Sequence, residues 1–485
     1  MTTTGENEVL GDEADTPSKG NWTKWLVLVF VVTLLAGILF GYDQGVIAGA
    51  LHGMTEEFDL SSGMKEVITS WVTLGALFGA LFAGGLADRL GRRTAVLLAA
   101  ALFVVGALVE SLAPDTTVLV IGRLIVGFGV GVASVAAPLY AAETAPTSLR
   151  GRFVSSYQLA ITIGIFVAYL VDWALTNSDS WRMMLGVSAV PALLLVLAAW
   201  PLRDTPRWYL KNGNEEKALE ALSRIRPHED QVTAEFNETK DALTTTIPAK
   251  WSEVFAKDLR RPLSIAVGLA VFQQITGINA IIYYANDIFR EAGFDTPLEQ
   301  AAATTWAIGG VNVLATFIAI AYIDRFGRRP LLQAGLVGMG LSLTAVGISY
   351  VFHDDGGSAS GDAGVITLVA LVVFIASFAF SLGPVTWTVI NEIFPNRVRG
   401  RAVSVATAAN WFSAWLVSQF FLTLVDASGS SATFWLFATF SAIAFVWVTL
   451  RVPETKGRSL EEIEEMMVPA DAAQPVETPD QPAAG

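Results

Sequence analysis

Two ionisable side chains sit where an apolar chain can least accommodate them. Asp43 lies in Gly41-Tyr42-Asp43-Gln44-Gly45-Val46-Ile47, in the far half of an apolar run from about residue 25 to 50. Arg123 lies inside another apolar run, about 116–140. An ionised group at membrane depth costs on the order of 2.5–3.5 kcal/mol on insertion scales unless it is partnered, neutralised or wetted. Asp43 is about 18 residues into its run and Arg123 about seven into a run of opposite direction, so at about 1.5 Å per residue both reach similar depth. The economical arrangement is an ion pair, made where the two segments touch. A buried carboxylate of this kind can take up and release a proton, and each change alters its hold on the guanidinium. Bond-making chemistry finds no support. There is no cysteine, and His52, His228 and His353 fall in polar connections. Neither a nucleophile constellation nor a metal-ligand cluster is present, so no enzyme activity and no cofactor is expected.

A second set of charges is repeated. Asp88-Arg89-Leu90-Gly91-Arg92-Arg93 recurs as Asp324-Arg325-Phe326-Gly327-Arg328-Arg329, and Glu143 with Arg150-Gly151-Arg152 recurs as Glu392 with Arg399-Gly400-Arg401. The copies are about 240 to 250 residues apart. Such internal symmetry in an apolar chain indicates two bundles around a midplane site. The arginine turns and the glutamates are expected to form two charge clusters that latch helix ends together, with Arg89 and Arg325 reaching Glu143 and Glu392.

The elements that must carry these residues are membrane helices. The 485 residues are 53% hydrophobic and 16% charged, whereas a soluble chain carries about a quarter charged residues. Twelve spans are expected, at about 25–50, 67–87, 94–113, 116–140, 153–175, 183–202, 262–289, 300–323, 331–352, 364–391, 401–425 and 432–452. The fold class is therefore an all-α integral membrane protein with two pseudo-symmetric six-helix bundles, 25–202 and 262–452. Of the Lys and Arg residues, Lys65, Arg182 and Arg290 alone fall in the odd-numbered connections. The positive-inside rule then puts both termini in the cytoplasm of a cell-membrane protein. The acidic segment 1–24 lacks the basic region and small-residue cleavage site of a signal peptide and is expected to be disordered. The connection 203–261 should hold short helices, one capped by Asn214 with Leu219, Leu222 and Ile225 on its apolar face. In the tail 453–485, Ser459-Leu460-Glu461-Glu462 reads as a capping box. A formal net charge of -14 argues against a nucleic-acid partner.

The chain resembles the sugar porter family of the major facilitator superfamily over about residues 25–467. The resemblance rests on Gly84-Gly85-Leu86-Ala87 leading into the first arginine turn, Ala142-Glu143-Thr144-Ala145-Pro146, and Gln273-Gln274-Ile275-Thr276-Gly277-Ile278-Asn279. It rests also on Gly383-Pro384-Val385-Thr386-Trp387, Glu392-Ile393-Phe394-Pro395 and Pro453-Glu454-Thr455-Lys456-Gly457. It implies alternating access to a central sugar site. One departure is Arg203-Asp204-Thr205-Pro206-Arg207, where the family usually has Glu in place of Asp204.

A sugar's hydroxyls need groups that both donate and accept, as Gln and Asn do, and its C–H face packs on aromatic rings. Span seven offers Gln273, Gln274, Asn279 and Tyr283, with Gln273 about 16 Å in from Pro262. On a straight helix Gln273 and Asn279 would sit about 120° apart, but the resemblance implies a seventh helix interrupted near Gly277. It also implies that Gln158, Trp387 and Asn410, with Phe40 and Asn312, line the cavity. A carboxylate at Asp43 is characteristic of proton-coupled members. The expected function is import of a monosaccharide, hexose or pentose, by proton symport, with protons, sugar and the bilayer as partners. A proton-independent facilitator and a non-transporting sugar sensor are the alternatives, the latter disfavoured by a C-terminal tail of only about thirty residues.

Overall fold

A computed structural model describes residues 22–178, 180–245, 250–354, 360–458 and 460–467. Most of the 1–24 segment, the tail beyond residue 467 and Ser459 of the capping box lie outside the described residues.

Helices α1 (Lys24–Phe58), α2 (Ser62–Leu90), α3 (Arg92–Ser111), α4 (Thr116–Thr144) and α5 (Thr147–Leu175) build the first bundle with the pair α6 (Trp181–Gly186) and α7 (Ala189–Ala199). The connection holds α8 (Pro206–Lys211), α9 (Glu215–Ile225), α10 (Glu229–Thr245) and the single turn α11 (Trp251–Val254). In the second bundle the first span is three pieces: α12 (Arg260–Ile275), α13 (Ile278–Tyr283) and α14 (Ala285–Glu291). The next runs from α15 (Pro297–Ala303) through a π-helical stretch, Thr304–Gly310, into α16 (Val311–Phe326). Then come α17 (Arg328–Asp354), α18 (Ser360–Phe380) with α19 (Leu382–Glu392), α20 (Asn396–Ser428), α21 (Ser430–Arg451) and the terminal α22 (Leu460–Met467). Among the described residues, 12 helices are long and apolar enough to cross a membrane.

Local chemistry sets several helix starts. Thr23, Ser61 and Asp115 accept from the backbone N–H of Leu26, Met64 and Val118, satisfying donors that the first turn leaves open, at about 0.5–2 kcal/mol per cap. The spans then pack by shape, because lipid is as apolar as leucine. In the first bundle α2 lies on α4 along Gly75 and Gly79 facing Gly127 and Gly131, small residues that let the backbones meet.

Two breaks in the second bundle matter for the site. Gly277 has φ 95°, a left-handed conformation that side chains resist, and a Cβ there would meet the Phe437 ring at 2.8 Å. It separates α12 from α13 and turns the chain between them. Ser381, at φ -122° and ψ -95°, separates α18 from α19, where Pro384 lacks the N–H that would bond the Phe380 carbonyl.

On α9 the buried face is Ala218, Ala221, Leu222 and Ile225, and it packs on Val232 and Phe236 of α10. Leu219, expected on that face, is 40% exposed. Positions 218, 221, 222 and 225 follow the 3.6-residue repeat, and Leu219 is about 100° away from it.

Candidate functional site

Four amides meet at the junction of α12, α13 and α20. Asn410 donates to Gln273 Oε1 at 2.8 Å and to the Ala270 carbonyl at 3.0 Å. Gln274 donates to Gln273 Oε1 at 3.4 Å and to Asn410 Oδ1 at 3.3 Å. Asn279 donates to Gln274 Oε1 at 2.9 Å. The Gly277 turn brings Asn279 back to the end of α12, which a straight helix would not do. Gln273 also donates to the carbonyl of Leu382 at 2.8 Å and of Gly383 at 3.3 Å, in the first turn of α19 after the Ser381 break. Each amide is less than 8% exposed. Mutual bonds of this kind contribute about 0.6–2 kcal/mol each in a membrane and fix the orientation of the four amides.

The remaining cavity candidates are not joined to this network by hydrogen bonds among the described residues. Phe40 of α1 packs on Trp411 of α20 with ring centroids 5.4 Å apart, an aromatic contact across the two bundles. Gln158 on α5 and Trp387 on α19 are half-buried; Trp387 is one helical turn beyond the Gly383 carbonyl that Gln273 holds. Asn312 is buried on α16. Tyr283, one turn after Asn279 on α13, lies beside Gln44, Asp43 and Arg123. The amide network and the buried charges are therefore ends of one short helix apart.

Asp43 and Arg123 form the ion pair at 2.8 Å, Arg123 Nη1 to Asp43 Oδ1, with Arg123 wholly buried and Asp43 4% exposed. Arg123 Nε donates to the Ile68 carbonyl at 3.1 Å. A third member went unforeseen. Glu110 of α3, 2% exposed, lies with Oε1 3.8 Å from Arg123 Nη1. Its position at the end of an apolar run reads as an interfacial charge, which hides it in the sequence. Asp172 was also missed; buried on α5, it accepts from the Gly49 backbone N–H at 3.1 Å.

The arginine turns define a basic face at one end of both bundles. Glu143 there pairs with Arg92, at 2.9 and 3.1 Å, and accepts from Thr205 Oγ1 at 2.6 Å. In the other bundle Glu392 pairs with Arg328 at 3.0 Å and accepts from Thr455 Oγ1 at 2.6 Å. Asp204 accepts from the backbone N–H of Arg92 at 2.9 Å and Arg93 at 3.2 Å, as Glu454 does from Arg328 and Arg329, both at 3.0 Å. The shorter aspartate thus makes the contact its glutamate counterpart makes. Burial raises the Asp204 carboxyl above its ordinary range, against the amides that hold it ionised. The turn needs glycine: Gly91 has φ 98°, and a Cβ on it would lie 2.0 Å from Asp204 Oδ2.

These clusters correct the expected partners. Arg92, not Arg89, holds Glu143, and Arg328, not Arg325, holds Glu392. Arg89 and Arg325 are exposed in the last turns of α2 and α16, whereas Arg92 and Arg328 open the next helix and point back across the glycine. Arg150 donates to the Ala142 carbonyl at 3.0 Å and Arg399 to that of Phe394 at 3.0 Å, each bracing the turn before its helix. Arg92→Ala should leave Glu143 without its cation and cost about 3–5 kcal/mol, while Arg89→Ala should stay within about 0.5 kcal/mol. Thermal melting of the purified variants checks this, and equal losses would remove Arg92 from its place.

Between the bundles the ties lie in the half away from the basic face. Glu66 of α2 accepts from the Thr423 backbone N–H at 2.6 Å and its hydroxyl at 2.7 Å, and Ser70 donates to Gln419 at 2.7 Å. Tyr169 donates to the Ile282 carbonyl at 2.9 Å, and its own carbonyl accepts from Thr305 at 3.0 Å. At the basic face the carboxylate clusters close within each bundle instead.

The chain matches the family model described as "Sugar (and other) transporter" over residues 29–467. It is 40% identical over 438 residues to a galactose-proton symporter of Escherichia coli strain K12, covering 90% of this chain and 93% of that protein. It is 38% identical over 443 residues to an arabinose-proton symporter of the same strain, covering 91% and 93%. Among solved structures, the inward open conformation of the xylose transporter XylE from E. coli superposes with TM-score 0.77 at 29% identity, over 91% of this chain and 100% of that one. With the doubled arginine turns, the broken seventh span and two six-helix bundles in view, this multi-pass membrane protein belongs to the sugar porter family of the major facilitator superfamily.

Proposed function

We propose that the protein imports a monosaccharide, a hexose or a pentose, by proton symport through alternating access. The observation that carries the reading is the buried Asp43–Arg123 pair, 2.8 Å long and one short helix from the amide network. The amides supply paired donors and acceptors for sugar hydroxyls, and Phe40, Trp387 and Trp411 supply apolar faces. Gln158 and Asn312 complete the polar lining. Tyr283 links the two sites: it shares α13 with Asn279 and lies beside the ion pair. A sugar that moves α13 changes the surroundings of Asp43, and protonation of Asp43 changes what α13 packs on. The galactose and arabinose symporters among the relatives support sugar and proton as the two substrates.

In this reading the basic face is cytoplasmic, and both ends of the chain lie on that side. The ties through Glu66, Ser70 and Tyr169 then close the outer side, and the arrangement is the one open to the cytoplasm. Arg89 and Arg325, exposed in it, are poised to reach across the mouth when that side closes, as the latch of the opposite state. The orientation has its own test. Tags at either terminus are expected to be inaccessible to antibody or protease in intact cells, and an externally accessible N-terminus would overturn it.

Reconstituted protein under an inward proton gradient should concentrate labelled sugar while the outer medium turns alkaline. A protein that equilibrates sugar yet never concentrates it and never moves protons is a facilitator, with Asp43 half of a structural ion pair. Competition by a panel of hexoses and pentoses in the same vesicles identifies the sugar.

A further inference from the structure

Arg123 faces two carboxylates, not one. Its Nη1 is 2.8 Å from Asp43 and 3.8 Å from Glu110, its Nε is held by the Ile68 carbonyl at 3.1 Å, and its Nη2 has no hydrogen-bond partner among the described residues. Glu110 Oε1 is likewise buried and without a hydrogen-bond partner. A small rotation about the fixed Nε therefore carries the guanidinium from one carboxylate to the other. The elements around the cluster offer little else. From α1 comes Asp43, from α2 the Ile68 carbonyl, from α4 Arg123 itself and from α13 Tyr283. Arg182 of α6, the cation next to the outer end of α3, is engaged by Glu57 and the Ala113 carbonyl.

We infer that Glu110 is the second seat of Arg123: when Asp43 takes its proton, the guanidinium moves to Glu110, which stays ionised and keeps the buried cation paired. The inference rests on the symport reading above. Its physical ground is charge balance. With Asp43 ionised the three groups sum to one negative charge. A proton from outside water brings the sum to zero, and the N–H donors lost to Asp43 are accepted by Glu110. Without Glu110 the same proton would strand a lone guanidinium in the bilayer, the arrangement that buried charges least tolerate. Glu110 thus makes protonation of Asp43 easier and sets the pH range in which the carrier couples. It is a positioning residue: it acts on the proton site through Arg123.

The test is the pH profile of Glu110→Gln, read as the ratio of proton-driven uptake to sugar counterflow in the same vesicles. Facing an undivided Arg123, Asp43 should demand more acid, moving the midpoint at least about one unit to lower pH. Asp43 still pairs Arg123 in this variant, so it should fold; failure to fold would show a fixed structural charge and overturn the inference. A second measurement uses stability. Asp43→Asn and Glu110→Gln each leave Arg123 one carboxylate, and the double variant leaves it none, so its melting temperature should fall by more than the two single losses together. An unmoved midpoint or additive melting losses would each overturn the second seat. Failure of the symport reading looks different: the wild type itself would equilibrate sugar without concentrating it. Loss of accumulation in Asp43→Asn with an unmoved midpoint in Glu110→Gln removes the Glu110 role alone.

Discussion

Asp43→Asn is expected to abolish proton-driven sugar accumulation while sugar-for-sugar exchange survives. Asparagine has the shape of the protonated acid and cannot lose a proton, so the variant is held in the loaded charge state. In the proposed cycle, Asp43 carries a proton inward with the sugar and must release it before the empty carrier resets. An imposed gradient of about two pH units can drive at most about 100-fold accumulation for one proton per sugar, since each unit is worth about 1.4 kcal/mol. The variant should equilibrate at a ratio of about one. The measurement is labelled sugar inside and outside proteoliposomes with an alkaline lumen. Asp43→Asn that still concentrates sugar would falsify the coupling role.

The magnitude is large because the pair is buried whole. Arg123 is 0% exposed and Asp43 4%, so each protonation change redistributes a full charge in a low-dielectric setting, where a surface pair of the same length would be screened. Coupling needs that balance to differ between the outward and inward arrangements. The neighbours able to change it are the ones that move with the other bundle. Tyr283 is such a neighbour, belonging to the second bundle while lying against Gln44, Asp43 and Arg123 of the first.

Depth made the Asp43–Arg123 pair legible, because a count of residues along two antiparallel spans is a ruler and an unpaired charge demands a partner. The two-bundle architecture was legible in the doubled motifs, which repeat residue types and spacing together. The amide network was legible only in part. Its members are polar residues in an apolar run, but their meeting depends on the left-handed Gly277, and a glycine does not announce which conformation it adopts. The Ser381 break had its signal in Gly383-Pro384, since Pro384 has no N–H for the Phe380 carbonyl and crowds it, but hydropathy alone does not read it.

Other misses share one cause: direction. Arg89 and Arg92 differ by three positions across a chain reversal, and which of them faces Glu143 depends on how α3 leaves Gly91. Glu110 reads as a charge at the end of a span because the span's length does not report that α3 packs inside α4 at that level. Glu66 reads the same way, yet it holds the Thr423 backbone N–H of the other bundle, a contact between residues far apart in the chain that no local pattern encodes. Of the three residues expected on the α9 face, Leu222 and Ile225 are buried there and Leu219, hydrophobic but off the stripe, is not.

Gln273→Ala is expected to weaken sugar binding by about 5- to 150-fold, the equivalent of about 1–3 kcal/mol for a buried hydrogen-bonding group left unpaired. The side chain has two jobs that the substitution separates poorly. It offers the sugar an amide, and it holds the Leu382 and Gly383 carbonyls and the Asn410 amide in place. Alanine removes both, releasing the first turn of α19, one turn before Trp387. Asn410→Ala separates them, because Asn410 touches Gln273 and Gln274 but not the break. If the amides act on the sugar directly, both variants should lose affinity, and Gln273→Ala should lose more thermal stability than Asn410→Ala, since it also releases the first turn of α19. Calorimetric titration of the purified protein with the transported sugar reads the first effect and thermal melting the second. Wild-type affinity in Gln273→Ala would move the sugar site away from α12 and leave the four amides as a structural clasp between α12, α13 and α20.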